Sequence, residues 1–175
     1  MNTSEIDHFI RENDDFLFVS AAGNYGTNNQ FNSILTPCDS KNGICVGASN
    51  SYGPDATIAM AGPNYVAAFS SKGSTADGRI KPDIVAPGHY VLSAGAQPSV
   101  TGECDPADGI YPRADDMIID GVASMHGTSM ATPAVAGTLA MIRQYFKNGF
   151  YPSGESCKDD SIVPSSALLR AVLLS

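Results

Sequence analysis

The chain has 175 residues, of which 43% are hydrophobic and 16% charged, and its formal net charge is -8. This length and composition predict one compact unit with a buried core. The ten Lys and Arg residues are scattered, which argues against a nucleic acid or an anionic membrane surface as partner, because both require clustered basic side chains. No apolar run approaches the roughly 18 to 20 residues that span a bilayer.

The N-terminal segment changes from a helical to a strand pattern. Apolar residues recur at helical spacing over 4–13, so we predict an amphipathic helix there with Ser4 as its N-cap. Residues 16–22 are almost all apolar, which is typical of a strand buried on both faces of a parallel sheet. Gly23 and Asn24 end this strand.

Two further short apolar runs, at 44–48 and 84–86, are followed by turn residues and predict two more strands. Residues 95–121 contain several Gly, Pro and Asp without periodicity. They predict a long surface loop, or a loop with a small hairpin. The alternation of strand, helix and loop favours the α/β class.

The C-terminal third is dominated by helical patterns. Residues 130–146 are apolar on nearly every side, which indicates a helix through the centre of a domain. We expect Pro133 in the first turn of this helix, where a missing N–H costs little. A last helix is predicted over 166–174, with Ser165 as its N-cap.

The four cysteines leave two interpretations open. Their spacings match no metal-binding motif, and an even number permits disulfides in a secreted protein. Either all are free thiols or some are paired, and the favoured pair is Cys38 with Cys45 across a short segment. The other two are Cys104 and Cys157.

The most informative segment is HGTSMATPAVAG at 126–137, in which Ser129 follows a Gly and opens an apolar helix. FLFVSAAGN at 16–24 and KPDIVAPG at 81–88 precede it in the chain. Together these segments resemble the subtilisin-like serine proteases (peptidase S8), whose nucleophile motif is GTSMA[ST]P. The resemblance extends over most of residues 5–174. One departure is Ala134, where many members of the family have His.

The resemblance implies that Ser129 is the attacking serine and that the side-chain amide of Asn24 donates to the tetrahedral intermediate, together with the backbone N–H of Ser129. A serine hydroxyl needs a base and fixed donors for the developing oxyanion, and a helix N-terminus supplies free N–H groups. Without the resemblance, the favoured interpretation of Ser129 is a helix N-cap, and Asn24 is a turn residue that closes a strand.

The resemblance also implies a substrate groove around the nucleophile. One wall of the pocket for the substrate residue before the scissile bond, and the turn beside it, are assigned to Ala21, Ala22, Gly23, Gly127 and Thr128. Small side chains leave room there, and a Gly lets the backbone approach a substrate closely.

Two nearby residues are interpreted separately. Leu35 aligns with the floor of the pocket, where a bulky side chain shortens it. His126 is three residues before Ser129 and carries an imidazole, a common catalytic base, but it matches no catalytic position of the family. We interpret it as a loop histidine at the rim of the cleft.

The family places its triad along the chain as Asp, His and Ser, yet Asn24 is only 23 residues after Met1. We therefore expect residues 1–175 to be the C-terminal part of a subtilisin-like catalytic domain, inactive alone, that lacks the N-terminal half carrying Asp and His. The implied architecture is a partial three-layer α/β fold, with a mostly parallel sheet flanked by helices.

The implied reaction is hydrolysis of a polypeptide substrate through an acyl-enzyme on Ser129, with no organic cofactor. Structural calcium is frequent in the family, but no ligand cluster stands out in this sequence. The resemblance favours secretion or an endomembrane lumen. Two alternatives stay open: a non-catalytic pseudoprotease or peptide-binding module, and one half of a split protease whose partner chain supplies the base. Retention of both Ser129 and Asn24 argues against a role in binding alone.

Overall fold

Three parallel strands form the central sheet. The computed structural model describes residues 2–28, 31–51, 62–94 and 122–175. The strands β1 (Val19–Ala21), β2 (Ile44–Ser49) and β3 (Ile84–Pro87) pair in the order β1-β2-β3. All six residues of β2 are buried, as its apolar run requires at the centre of a parallel sheet. Among the described residues, β1 has a partner strand on one side only.

Helices flank this sheet, which confirms the predicted α/β class. They are α1 (Thr3–Glu12), α2 (Thr128–Lys147) and α3 (Ser166–Leu174). The helix α2 packs across all three strands and also contacts α3. The main core joins β2, α2 and α3 through Ile44, Val46, Ala48, Ala67, Ala131, Val135, Leu139 and Leu169. No helix within the described ranges is long and apolar enough to cross a membrane.

The predicted N-cap is confirmed for α3 and is wrong for α1. Ser165 caps α3 and accepts the N–H of Leu168, as predicted. The N-cap of α1 is Asn2 rather than Ser4, because the Asn2 side chain accepts the Ser4 N–H and Glu5 accepts the Asn2 N–H. This reciprocal capping box satisfies two N–H groups that the helix itself cannot pair.

The helix α2 starts earlier than predicted and has one buried face. It begins at Thr128, so Pro133 is its sixth residue and lies beyond the first turn, contrary to the prediction. A proline there cannot supply the N–H that would bond the Ser129 carbonyl. The buried face consists of Thr128, Ala131, Val135, Leu139 and Phe146. The opposite face is exposed, so the expectation of a helix buried on all sides is wrong for the described residues.

A hairpin-like pair of strands leads into α2. The strands β4 (Val91–Ala94) and β5 (Val122–Met125) are antiparallel, with Val91 opposite Met125. The loop predicted over 95–121 lies outside the described residues. Cys38 and Cys45 form a disulfide with their Cα atoms 4.8 Å apart, and Cys157 is a free thiol.

A buried ionic network fastens α3 to the sheet. One oxygen of Asp83 accepts the Cys45 N–H at 2.8 Å and the ammonium of Lys81 at 2.5 Å. The other oxygen accepts from the guanidinium of Arg170 at 2.9 Å. Burial lowers the pKa of Lys81, while the Asp83 carboxylate opposes that change. Asp83 therefore compensates a cation that has almost no access to water.

Replacing Asp83 by alanine should lower the free energy of unfolding by about 3 to 5 kcal/mol, because Lys81 would stay buried without its counter-ion. Urea denaturation measures the change. The matched control is Asp15→Ala, which breaks an ion pair with Arg143 whose two side chains are 59% and 33% exposed; exposed pairs contribute little. Equal unfolding midpoints for the two variants would contradict a stabilising role for the network.

Candidate active site

The structure brings Asn24 and Thr128 together across 104 positions of sequence. Asn24 follows the carboxyl end of β1, and Thr128 is the first residue of α2. The Asn24 Oδ1 accepts the backbone N–H and the hydroxyl of Thr128, each at 3.0 Å. The Thr128 hydroxyl in turn accepts the N–H of Gly23 at 3.1 Å. These bonds join the end of a strand to the start of the helix that bears Ser129.

This pairing determines which way the Asn24 amide points. A backbone N–H can only donate, so the atom that faces Thr128 must be the oxygen. The Nδ2 group, a donor, is then left free of that contact. A Cβ at Gly127 would lie 3.3 Å from Asn24 Nδ2, and Gly127 has φ 152°. Glycine at this position therefore keeps the space beside the amide open.

Ser129 lies directly after this junction. It is the second residue of α2, and its side chain is exposed. Its backbone N–H belongs to the first turn, whose N–H groups lack carbonyl partners within the helix, and the helix dipole favours negative charge there. The exposed Ser129 hydroxyl thus belongs to a helix N-terminus that offers a main-chain N–H, and the Asn24 amide lies at the preceding residues Gly127 and Thr128. Such donors stabilise an oxyanion when a hydroxyl adds to a carbonyl.

The turn before Ser129 is also bonded to the segment that follows β3. The Gly127 N–H donates to the carbonyl of Gly88 at 2.7 Å, and Gly88 directly follows β3. The site therefore lies where the carboxyl ends of β1 and β3 approach the N-terminus of α2, the usual position for ligands in open α/β sheets. The sequence predicted Ser129 and Asn24 as site residues and Thr128 as part of the groove, but it did not predict that Thr128 orients Asn24 or that Gly88 anchors the turn.

The residues assigned to the substrate groove differ in how exposed they are. Ala22 and Thr128 are fully buried as whole residues, and Gly127 is buried as well, so none of the three presents much surface to a substrate. Ala22 packs in a small core cluster with the Cys38–Cys45 disulfide. Ala21 and Gly23 are partly buried. Of the five residues assigned to the groove, Ala21 and Gly23 are therefore the ones with accessible surface in this structure.

Leu35 lies against Gly23. Its Cγ and Cδ1 atoms are 3.2 Å from where a Gly23 Cβ would be, and its N–H donates to the Ala22 carbonyl at 3.3 Å. Ser71 approaches the same point from another direction, with its Oγ at 2.9 Å. The Leu35 side chain is 45% exposed. A space beside Gly23 is therefore limited by a leucine, while the assignment of Leu35 to the floor of a substrate pocket stays a prediction.

Among the described residues, the histidines near the site form no hydrogen bond with the Ser129 side chain. Within the described ranges, no hydrogen bond joins the Ser129 hydroxyl to an imidazole or a carboxylate. The His126 ring is exposed and lies 5.9 Å from both Phe69 and His89, measured between ring centres. The part of the chain that the structure describes also contains no cluster of three or more His, Cys, Asp or Glu side chains arranged to hold a metal.

His89 makes stability sensitive to mild acid. Burial lowers the pKa of His89 below its usual 6.5, and the positive charge of His126 lowers it further. A lowered pKa means that the unfolded chain binds the proton more readily than the folded chain does. The folded state is therefore favoured while His89 is neutral, above about pH 6.5, and this contribution to the free energy of unfolding is lost as the pH falls through the pKa of His89 in the folded state. The melting temperature should therefore decrease less steeply on acidification in His89→Phe than in the unchanged protein. His8→Phe, at an exposed position, is the control, and identical pH profiles for all three would contradict the prediction.

Comparison with known proteins places this geometry in context. The family model of peptidase S8, the subtilase family, matches residues 2–174. The Serine protease/ABC transporter B family protein tagB of Dictyostelium discoideum is 42% identical over 113 residues, covering 64% of this chain and 6% of that protein. Serine protease AprX of Bacillus subtilis is 36% identical over 124 residues, covering 71% of this chain and 25% of AprX.

Solved structures agree in fold. Sphericase superposes with a TM-score of 0.57 at 25% identity, covering 98% of this chain and 44% of sphericase. A cold adapted subtilisin-like serine proteinase superposes with a TM-score of 0.52 at 22% identity, covering 98% of this chain and 42% of that chain. This chain spans less than half the length of each of these four proteins.

Proposed function

Because this chain belongs to the subtilase family of serine proteases, we propose that it supplies the nucleophile and the oxyanion donors for peptide-bond hydrolysis. The main support for this proposal is the pair of hydrogen bonds that the Asn24 side-chain oxygen accepts. Its oxygen is engaged by Thr128 at 3.0 Å, which leaves the amide nitrogen as a donor beside the helix N-terminus that bears Ser129.

In the proposed reaction, the Ser129 Oγ attacks the carbonyl carbon of a polypeptide while a base removes the hydroxyl proton. The carbonyl electrons move onto its oxygen, and the Asn24 Nδ2–H and the Ser129 N–H stabilise that charge. Collapse of the intermediate breaks the C–N bond, and the leaving amine takes the proton from the base. Water then releases the acyl group from Ser129 in a second addition and collapse.

We propose that the base belongs to polypeptide outside these 175 residues, namely an N-terminal half of the domain that carries the Asp and His. The exposed face of α2 supports this. Counting from Ser129, small residues follow at Pro133, Ala136, Gly137 and Ala140, and all are exposed. This spacing puts them on one side of the helix, in line with the nucleophile. Such an apolar helix face is normally covered by a packing partner.

The test is labelling with a fluorophosphonate, which reacts with a serine that a base has activated. The native polypeptide purified from its source should be labelled at Ser129, within the tryptic peptide 114–143, whereas residues 1–175 alone should stay unlabelled. A native polypeptide that binds peptides but resists the label would support a pseudoprotease. Labelling that appears only after a second chain is added would support a split protease.

Leu35 should restrict the substrate residue before the scissile bond to a small side chain, because it lies against Gly23 where a pocket would deepen. In the active polypeptide, Leu35→Gly should raise kcat/KM for a Phe substrate relative to an Ala substrate by about tenfold or more, as expected for added apolar pocket volume. Ile80→Gly removes an apolar side chain that is 90% exposed and serves as the control. An unchanged ratio in Leu35→Gly would remove Leu35 from the pocket.

A further inference from the structure

Two imidazole rings lie edge to face beside the turn that precedes Ser129. The rings of His89 and His126 lie 5.9 Å apart between centres, with their planes at 85°. His126 is exposed and His89 is half-buried. The Tyr90 ring is 4.2 Å from His89, and the Phe69 ring is 5.9 Å from each imidazole. The proposed hydrolysis uses neither histidine.

The backbone holds the two histidines in a defined relation. His89 follows Gly88, whose carbonyl accepts the Gly127 N–H at 2.7 Å, and His126 precedes Gly127. On the other side, Val91 pairs with Met125 in the antiparallel strands β4 and β5. Each histidine therefore lies between two points at which its segment is tied to that of the other. This restraint lowers the entropy that a shared ligand would have to remove.

We propose that His89 and His126 form a two-imidazole site for a divalent transition metal ion of the zinc class. Zinc binds imidazole nitrogen at about 2.0 to 2.1 Å, and two imidazoles on one ion therefore have their centres about 5 to 6 Å apart. The separation of 5.9 Å between these ring centres lies within that range. Water completes the coordination, so binding is reversible and weaker than at a closed structural site with four protein ligands.

His8, the remaining histidine of the chain, lies on α1 and faces Glu12 at 3.3 Å in an exposed position. It serves as an internal control.

An ion at this position has a consequence for the proposed protease activity. His126 is three residues before Ser129 in the same turn, so a hydrated divalent ion there crowds the approach to the exposed hydroxyl. Zinc should therefore inhibit hydrolysis reversibly, and a chelator should restore it. This consequence rests on the proposed function, whereas metal binding itself does not.

Diethyl pyrocarbonate footprinting measures binding without any need for activity, because this reagent modifies neutral, accessible imidazoles. The three histidines fall in separate tryptic peptides, 1–11, 80–113 and 114–143, so mass spectrometry follows each one alone. At a Zn²⁺ concentration about tenfold above the dissociation constant, modification of His89 and His126 should slow about tenfold. His8 should react at its original rate, and Mg²⁺ in place of Zn²⁺ should protect none of them.

Single variants test whether the two rings share one ion. His89→Asn should abolish zinc protection of His126, and His126→Asn should abolish protection of His89, whereas His8→Asn should change neither. Protection of one ring that survives loss of the other, or absence of protection at both, overturns the proposal. In the active polypeptide, zinc inhibition should disappear in His126→Asn. Paired protection without inhibition supports the site and contradicts only its effect on hydrolysis.

Discussion

Ser129→Ala should abolish peptide hydrolysis by the active polypeptide, with turnover falling about a million-fold. That is the loss seen when the serine or the histidine of a subtilisin triad is removed. Alanine lacks the oxygen that forms the acyl-enzyme, so the covalent route ends. Because the Ser129 side chain is exposed, its removal should not disturb folding. The measurement is kcat with a chromogenic peptide, together with the melting temperature.

A control variant and a binding measurement test whether the loss of turnover is specific to the Ser129 hydroxyl. Ser153→Ala, a change at an exposed serine of a surface turn, should leave kcat unchanged. Ser129→Ala should still bind the peptide with its original affinity, because the hydroxyl reacts with the substrate but does not hold it. Appreciable turnover in Ser129→Ala, after exclusion of contaminating protease, would assign the nucleophile to another residue.

Asn24→Ala should lower kcat by about 100- to 1000-fold with little change in KM. The magnitude is taken from the corresponding loss in subtilisin, where an oxyanion donor was removed. The Asn24 amide is held with its nitrogen facing away from Thr128, so it needs no reorientation when charge develops on the substrate oxygen. An effect on kcat rather than KM is expected, since the donor acts on charge that is absent from the ground state.

Companion variants separate donation from packing. Asn24→Asp keeps an oxygen that accepts from Thr128 but lacks the N–H donor, so it should be at least as impaired as Asn24→Ala. Thr128→Val removes the hydroxyl that helps to orient Asn24 and should reduce kcat, whereas Thr128→Ser retains that hydroxyl and should restore most of it. A loss of less than tenfold in Asn24→Ala would exclude Asn24 as an oxyanion donor.

Much of the fold could be predicted because its signals are local. The apolar runs at 16–22, 44–48 and 84–86 each overlap a strand of the parallel sheet, although β1 is only three residues long. Only β2 is buried throughout, as a strand covered on both faces should be, whereas β1 is partly buried and β3 alternates. The predicted helices all exist. Two predicted details, the N-cap of α1 and the position of Pro133 in α2, were wrong, and the reasons are again local. The Asn2 side chain competes better than Ser4 for the first turn of α1, and α2 extends back to Thr128, so Pro133 lies inside the helix.

The sequence by itself also determined the family, through three motifs in order, and with it the assignments of Ser129 and Asn24 that remain to be tested. Tertiary structure alone decided how these residues are held. The orientation of the Asn24 amide depends on Thr128, 104 positions away, and the turn before Ser129 depends on the Gly88 carbonyl. The proximity of the His89 and His126 rings likewise requires two separate segments of the chain to pack together. Local patterns encode periodicity and turns, whereas these contacts arise only when distant segments pack together.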